Sequence, residues 1–326
     1  MNLTHPQQSA TNESGPKWFN LPVTFFTGTL TEIRERIPDF ERRPFSITTN
    51  GSEQLRSNAR LDTIVRLPFS EDNAVVPVGI VSKEYALVKH TTVIDEAVEA
   101  LESINIKIGD VKAELTLTEY GERMYLSLYL PDKFRFDPGD GHPMALRLEC
   151  QNSVDGSTRF RALMGWYRLV CSNGLIIGVT RSDMHRRHIG DFQIQDIRMV
   201  LTAGLKDSEE ERKNFENWRN TPIKPERLIK WCEEPLRKEW GFKAAARAYH
   251  IAQSGSDVKI IGQYNGYKPT TIKVEKAEHV PGAPRKSENL FDASQILAWL
   301  AKERRDIQEQ LEWRERIPGL MDQLRN

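Results

Sequence analysis

The chain has 326 residues, 39% hydrophobic and 28% charged, and its 46 Lys and Arg balance 46 Asp and Glu to a formal net charge of zero. That length allows one large domain or two ordinary ones around a real core. The neutral balance excludes a partner chosen by whole-chain electrostatics, so affinity for a polyanion or a membrane surface needs local segregation of charge.

Three cysteines, Cys150, Cys171 and Cys232, have no metal-type spacing and fit a reduced, cytoplasmic protein better than a disulfide scaffold. No run approaches the roughly 18 apolar residues of a membrane span, so no membrane partner is expected. Residues 1–16 are polar, lack the basic-then-apolar order of a signal peptide, and read as a disordered lead-in.

Residues 17–253 read as an α+β core. LPVTFFTG predicts a strand, TLTEIRERI a short helix stopped by Pro38, and DTIVRL another strand. VPVGIVSKEYALVKH (76–90) predicts two strands around Ser82-Lys83. In TTVIDEAVEALESI (91–104), Val93, Ala97, Val98 and Leu101 share one face, which predicts a helix capped by Thr91 or Thr92. Four alternating runs follow, at 111–119, 123–130, 143–151 and 158–164, joined by turn signals. They predict a central antiparallel meander. Beyond residue 190 the pattern turns helical, with breaks expected at Pro235 and Gly241. Residues 254–288 read as an irregular insertion or linker with one strand, TTIKVEK. Residues 292–317 read as one helix ended by Pro318, within a C-terminal segment 289–326.

Alternation splits the meander into two faces. One is apolar. The other carries Lys112, Glu114, Thr116, Arg123, Tyr125, Ser127, Tyr129, Arg147, Glu149, Arg159 and Arg161, five cations against two carboxylates. Cations along phosphates with aromatic rings for bases is the chemistry of single-stranded nucleic-acid binding. This face, extended by Arg168, Arg181, Arg186 and Arg187, is the candidate DNA-binding surface. The competing reading is a solvated sheet face, with Glu149 paired across to Arg159 or Arg161.

In GWYRLVCSNGLIIG (165–178), Asn173-Gly174 predicts a tight turn between two short apolar segments. Cys171 then reads as a buried inert thiol. A nucleophilic Cys171 would need His185 or His188 as a base. A metal site would have to come from Cys171, His185, His188 and Asp191, a set without a second ligand pair. No metal, cofactor or catalytic residue is therefore expected.

The stretch 152–178 followed by HIGD (188–191) resembles the core of the phage- and plasmid-borne domain of unknown function 932 family. The shared residues are Asp155, Gly156, Ser157, Arg168, Val170, Cys171, Asn173, Gly174, Leu175, Gly178, His188, Gly190 and Asp191. Residues 78–88 and 288–303 resemble the same family, whereas 254–288 show no evident match. The resemblance implies residence on mobile elements, and with it handling of incoming DNA or opposition to host defences. It implies no activity. The order of helix, meander and helices is also similar to that of phage single-strand annealing proteins, a likeness of layout alone.

Two functions follow as expectations. The first is a DNA-binding accessory protein, taking single strands to anneal or protect them. The second is a protein–protein inhibitor of a host defence system. It would dock, or self-associate, through Leu297, Trp299, Leu300, Ile307, Leu311 and Trp313 of the C-terminal helix. An enzyme using Cys171 or the two histidines is the third and least supported alternative.

Overall fold

The computed structural model describes residues 21–47, 56–70, 72–168, 173–176, 196–265 and 268–326. It is an α+β protein whose chain divides into two compact units. One comprises 1–134, 146–164 and 179–205, the other 135–145, 165–178 and 206–326. Residues 206–253 and 254–326 share a unit.

The first unit begins with β1 (Val23–Thr29) and α1 (Leu30–Arg34). A Thr29–Glu32 capping box fixes the start of α1. β2 (Phe40–Ile47), β3 (Arg56–Arg66) and β4 (Val76–Ser82) form a three-stranded antiparallel sheet. The segment after Ser82 does not continue as the second strand expected within 76–90. Lys83 and Glu84 turn the chain, and Tyr85 drops into a core with Phe40, Ile64, Val81 and Val154.

α2 (His90–Ser103) buries Val93, Ile94, Ala97, Ala100 and Leu101. Its N-cap is Lys89, which makes no side-chain cap, so neither Thr91 nor Thr92 plays the expected part. The helix is pinned instead by His90, which is fully buried. Its Nε2 donates to the Gly121 carbonyl at 2.8 Å, and its Nδ1 lies 2.9 Å from the Asn152 amide.

β5 (Lys112–Thr118), β6 (Arg123–Tyr129), β7 (Met144–Ser153) and β8 (Arg161–Arg168) are the expected meander. With β1 and β9 (Asn173–Ile176) they form a six-stranded sheet in the order β1-β5-β6-β7-β8-β9. The pairs β1–β5, β5–β6, β6–β7 and β8–β9 are antiparallel. The apolar face is a core: Leu115, Met124, Leu126, Leu128, Leu148 and Phe160 are fully buried. The β8–β9 hairpin exists, but Asn173-Gly174 is not its turn. Both residues already lie on β9, opposite Arg168 and Tyr167. The connection falls at 169–172, outside the described residues, and Cys171 with it.

α3 (Asp196–Arg219) runs from the first unit into the second. The second unit continues with α4 (Pro225–Trp231), a π-turn over Cys232–Leu236 that absorbs Pro235, and α5 (Arg237–Ser254). At Gly241 the backbone leaves helical geometry, with φ 82° and ψ 169°. The sequence thus marked both interruptions. Gly255, at φ 65°, ends α5 in the left-handed conformation that glycine adopts without penalty.

Residues 254–288 are more ordered than expected. β10 (Ser256–Asn265) and β11 (Lys268–His279) pair along their length as an antiparallel ribbon. The final helix is in fact two. α6 (Leu290–Lys302) is started by an Asn289–Asp292 capping box. α7 (Ile307–Arg325) is started by Asp306, whose side chain accepts from the Glu309 amide, and Pro318 lies inside it rather than ending it.

Among the described residues no helix is long and apolar enough to cross a membrane.

On α3, burial pushes the Glu211 carboxyl up to about 7, and Glu210 and Asp207 add to the shift. Its folded pKa exceeds the unfolded value of 4.5, so its contribution to stability is complete below about pH 4.5 and is lost as pH rises through 7. Glu211→Gln is therefore expected to raise the melting temperature at pH 8 and leave it unchanged at pH 4 in thermal unfolding followed by circular dichroism. Equal shifts at both pH values would contradict this.

Candidate nucleic-acid interface

The register sets the polar face of the meander in rows. Lys112, Tyr129 and Arg147 align across β5, β6 and β7, then Glu114, Ser127 and Glu149, then Thr116, Tyr125 and Gln151. The expected grouping of residues is therefore present. The expected exposure is not: Tyr125 and Arg147 are each 5% exposed, Arg161 3% and Glu149 1%.

The charges in the middle of this face are neutralised internally. Arg147 donates through Nε and a terminal nitrogen to Glu149 Oε1, at 3.1 and 2.8 Å. Tyr125 donates its hydroxyl hydrogen to Glu149 Oε2. The other terminal nitrogen of Arg147 donates to the Tyr129 hydroxyl at 2.9 Å, and that hydroxyl donates to Glu114 at 3.1 Å. Burial raises the Tyr129 pKa above its ordinary value, with the Arg147 charge opposing it.

Glu149 is thus paired with Arg147, two residues along its own strand. A buried guanidinium that donates to a carboxylate and a phenol has little capacity left for phosphate. The open stacking platform expected of these residues is corrected accordingly: Tyr125, Arg147 and Arg161 are buried and Tyr129 is half-buried.

The remaining candidates are dispersed. Arg159 is exposed in the turn before β8. Arg123 is partly exposed, with its Nε 3.8 Å from Asp155. Arg168 is buried, pairs with Asp140 and lies 5.8 Å from the Phe291 ring centroid. Arg181, Arg186, Arg187, His185, His188, Gly178, Gly190 and Asp191 lie outside the described residues.

The Asp155-Gly156-Ser157 signature is a turn. Asp155 Oδ1 accepts from the Ser157 amide at 3.0 Å and from its hydroxyl at 2.5 Å. Gly79 of β4 packs so closely on this turn that an added Cβ would sit 2.8 Å from the Asp155 Cα. The Tyr85 hydroxyl donates to the Ser153 carbonyl at 3.0 Å. Two of the segments that carry the resemblance, 78–88 and 152–157, are therefore neighbours with a packing role.

Burial pushes the Cys150 and Cys232 thiols up to about 12, with nearby glutamates adding to the effect. Neither is a thiolate at neutral pH. Among the described residues no group of three or more His, Cys, Asp or Glu could hold a metal.

Of the C-terminal side chains proposed for docking, the four aliphatic ones are interior and the two tryptophans half-buried. Leu297, Leu300, Ile307 and Leu311 are at most 1% exposed. Trp299 donates to Asp257 at 2.9 Å, and Trp313 stacks on Trp240 with ring centroids 4.3 Å apart. That face packs on its own unit, which corrects the expectation of an open docking or self-association surface.

The exposed, cation-bearing feature that sequence reasoning missed is the β10–β11 ribbon. Its base is clamped. Arg247 of α5 donates to both oxygens of Asp257, one at 2.9 Å, and Val258 is buried. Burial alone would raise the Asp257 pKa, but the hydrogen bonds and charge of Arg247, with the Trp299 bond, hold the carboxyl below its ordinary value.

Beyond the base no third strand pairs with the ribbon among the described residues. Lys259 is exposed, the Lys273 side chain is 72% exposed and Val274 is 58% exposed. Residues 259–276 carry Lys259, Lys268, Lys273 and Lys276 against the single carboxylate of Glu275, net +3. Lys273 pairs with Glu275 at 2.5 Å. The signal for the hairpin was present as Asn265-Gly266 between two alternating runs.

If the polar cluster is interior, removing Arg147 takes a buried ion pair and two hydrogen bonds from Glu149. Arg147→Met alone is expected to cost about 3–5 kcal/mol in urea unfolding, and Arg147→Met with Glu149→Leu to recover most of that loss. A single variant as stable as wild type would show the face to be solvated.

No curated protein and no solved structure gives a significant match to the chain. A family model does match, over residues 77–276, which is more than half of the chain and takes in β10 and most of β11. The stretch 254–276 thus lies within the family match, contrary to the reading of the sequence. With the packed 78–88 and 152–157 segments inside the same span, the chain belongs to the family described as Domain of unknown function (DUF932).

Proposed function

We propose that this chain is a DNA-binding accessory protein of a mobile element, and that the β10–β11 ribbon is its cationic contact. What supports the reading is the charge of the ribbon. A chain with no net charge gathers Lys259, Lys268, Lys273 and Lys276 on a ribbon whose carboxylates are Glu275, Glu278 and the Arg247-bound Asp257. Cations on a projecting element bind phosphates by releasing condensed counterions, and the strength of that binding depends steeply on salt. The clamp at Asp257 gives the ribbon a fixed root, so its lysines are presented from a defined place on α5. The resemblance to phage- and plasmid-borne proteins supplies the biological setting: DNA that enters or leaves a cell.

The test is fluorescence anisotropy with labelled oligonucleotides across a salt series. Wild type is expected to bind at low salt. Lys259→Ala with Lys273→Ala should weaken binding about five- to tenfold and lower the salt slope by about 1 per lysine removed. Absence of binding by the wild type at low salt would overturn the DNA-binding reading. Unchanged affinity and slope in the double variant would overturn the role of the ribbon.

A further inference from the structure

We infer that the exposed rings of α5, Phe242 and Tyr249, form a stacking site for unpaired bases, so that the DNA taken by this chain is single-stranded. The inference rests on the DNA-binding reading and adds the substrate class.

α5 turns its small and apolar side toward its own unit. Ala244, Ala245, Ala248, Ile251 and Ala252 are buried. At the edge of that side it carries two aromatic rings that reach solvent, Phe242 at 47% and Tyr249 at 38% exposure. Seven residues apart, they share a stripe, since side chains at i and i+7 lie on one side of a helix. The half-buried Ala246 between them adds little bulk.

The exposed charges of α5 itself are mostly cationic, whereas Glu233 and Glu234 stand just before it. The Arg237 guanidinium lies 5.7 Å from the Phe242 ring centroid, and Arg237, Lys238 and Lys243 are all exposed. Glu239 is the carboxylate among them, 3.9 Å from Arg316. The same helix leads through Gly255 into the root of the lysine-bearing ribbon. Exposed rings beside cations suit a polyanion whose bases are free to stack. A duplex offers the phosphates but keeps its bases stacked on one another. This places on a helix the combination of rings and cations that the sequence suggested for the sheet.

The experiment compares three fluorescein-labelled probes of equal length: a mixed-sequence single strand, the matching duplex, and a single strand of abasic sites. Wild type is expected to prefer the single strand. Phe242→Ala and Tyr249→Ala should each weaken it about fivefold or more, leaving the salt slope and the duplex affinity unchanged. The abasic strand should bind wild type as weakly as the normal strand binds the double ring variant.

Equal affinity for normal and abasic strands, or ring variants indistinguishable from wild type, would overturn the stacking site. So would a dimer in sedimentation that dissociates on Phe242→Ala, which would assign the rings to self-association. Phe242→Leu and Tyr249→Leu, which keep apolar bulk without a ring, guard against loss of fold. Recovery of single-strand binding in these variants would also overturn the inference. Failure of every probe to bind the wild type would instead count against the DNA-binding reading itself.

Discussion

The buried pairing of Arg147 with Glu149, closed by the hydroxyl of Tyr125, is the interaction on which the rest depends. It turns the polar side of a sheet into interior. An ion pair taken out of water is tolerated only when its hydrogen-bonding capacity is met, and here two phenols join the guanidinium and the carboxylate in one hydrogen-bonded chain. Charges committed in this way are silent toward solvent. A reading of function from the tally of arginines on this face must therefore give way to one based on cations that remain outside.

Those cations lie in the second unit, on a ribbon and a helix that share a root. A two-stranded ribbon is marginal alone in water, and it needs an anchor on the body. Asp257 supplies one, drawing on Arg247 of α5 and Trp299 of α6. The C-terminal helices, read from sequence as a surface for partners, thus act inside the unit as the support for that anchor. In the first unit, the segments that carry the family resemblance support one another through Gly79, Tyr85 and the Asp155 turn. Their resemblance reflects packing as much as any chemistry.

Much of the architecture was legible. Strict alternation revealed β5, β6, β7 and β8 and sorted their side chains correctly between two faces. Alternation says which residues share a face. It does not say whether water reaches that face, and all ten residues of β7 are buried. A clue lay in the composition: Glu149 stands two residues from Arg147 and diagonal to Tyr125, so the acid needed to neutralise the base was already on the strand.

The dipeptide Asn-Gly misled in one place and was overlooked in another. At 173–174 it lies on a strand, and at 265–266 it stands where β10 gives way to β11. Pro318 misled in the same way. Proline ends a helix in many contexts, but here Asp306 sets the start of α7 and the helix carries the proline within it.

The most direct measurement is the rate at which each arginine of the native protein reacts with phenylglyoxal, read by peptide mass spectrometry. The account predicts that Arg147 and Arg161, at 5% and 3% exposure, stay unmodified while exposed Arg159 and Arg237 react. It also predicts that single-stranded DNA protects Arg237. Modification of Arg147 and Arg161 at the rate of Arg159 would contradict it, showing the sheet face open and its charges available.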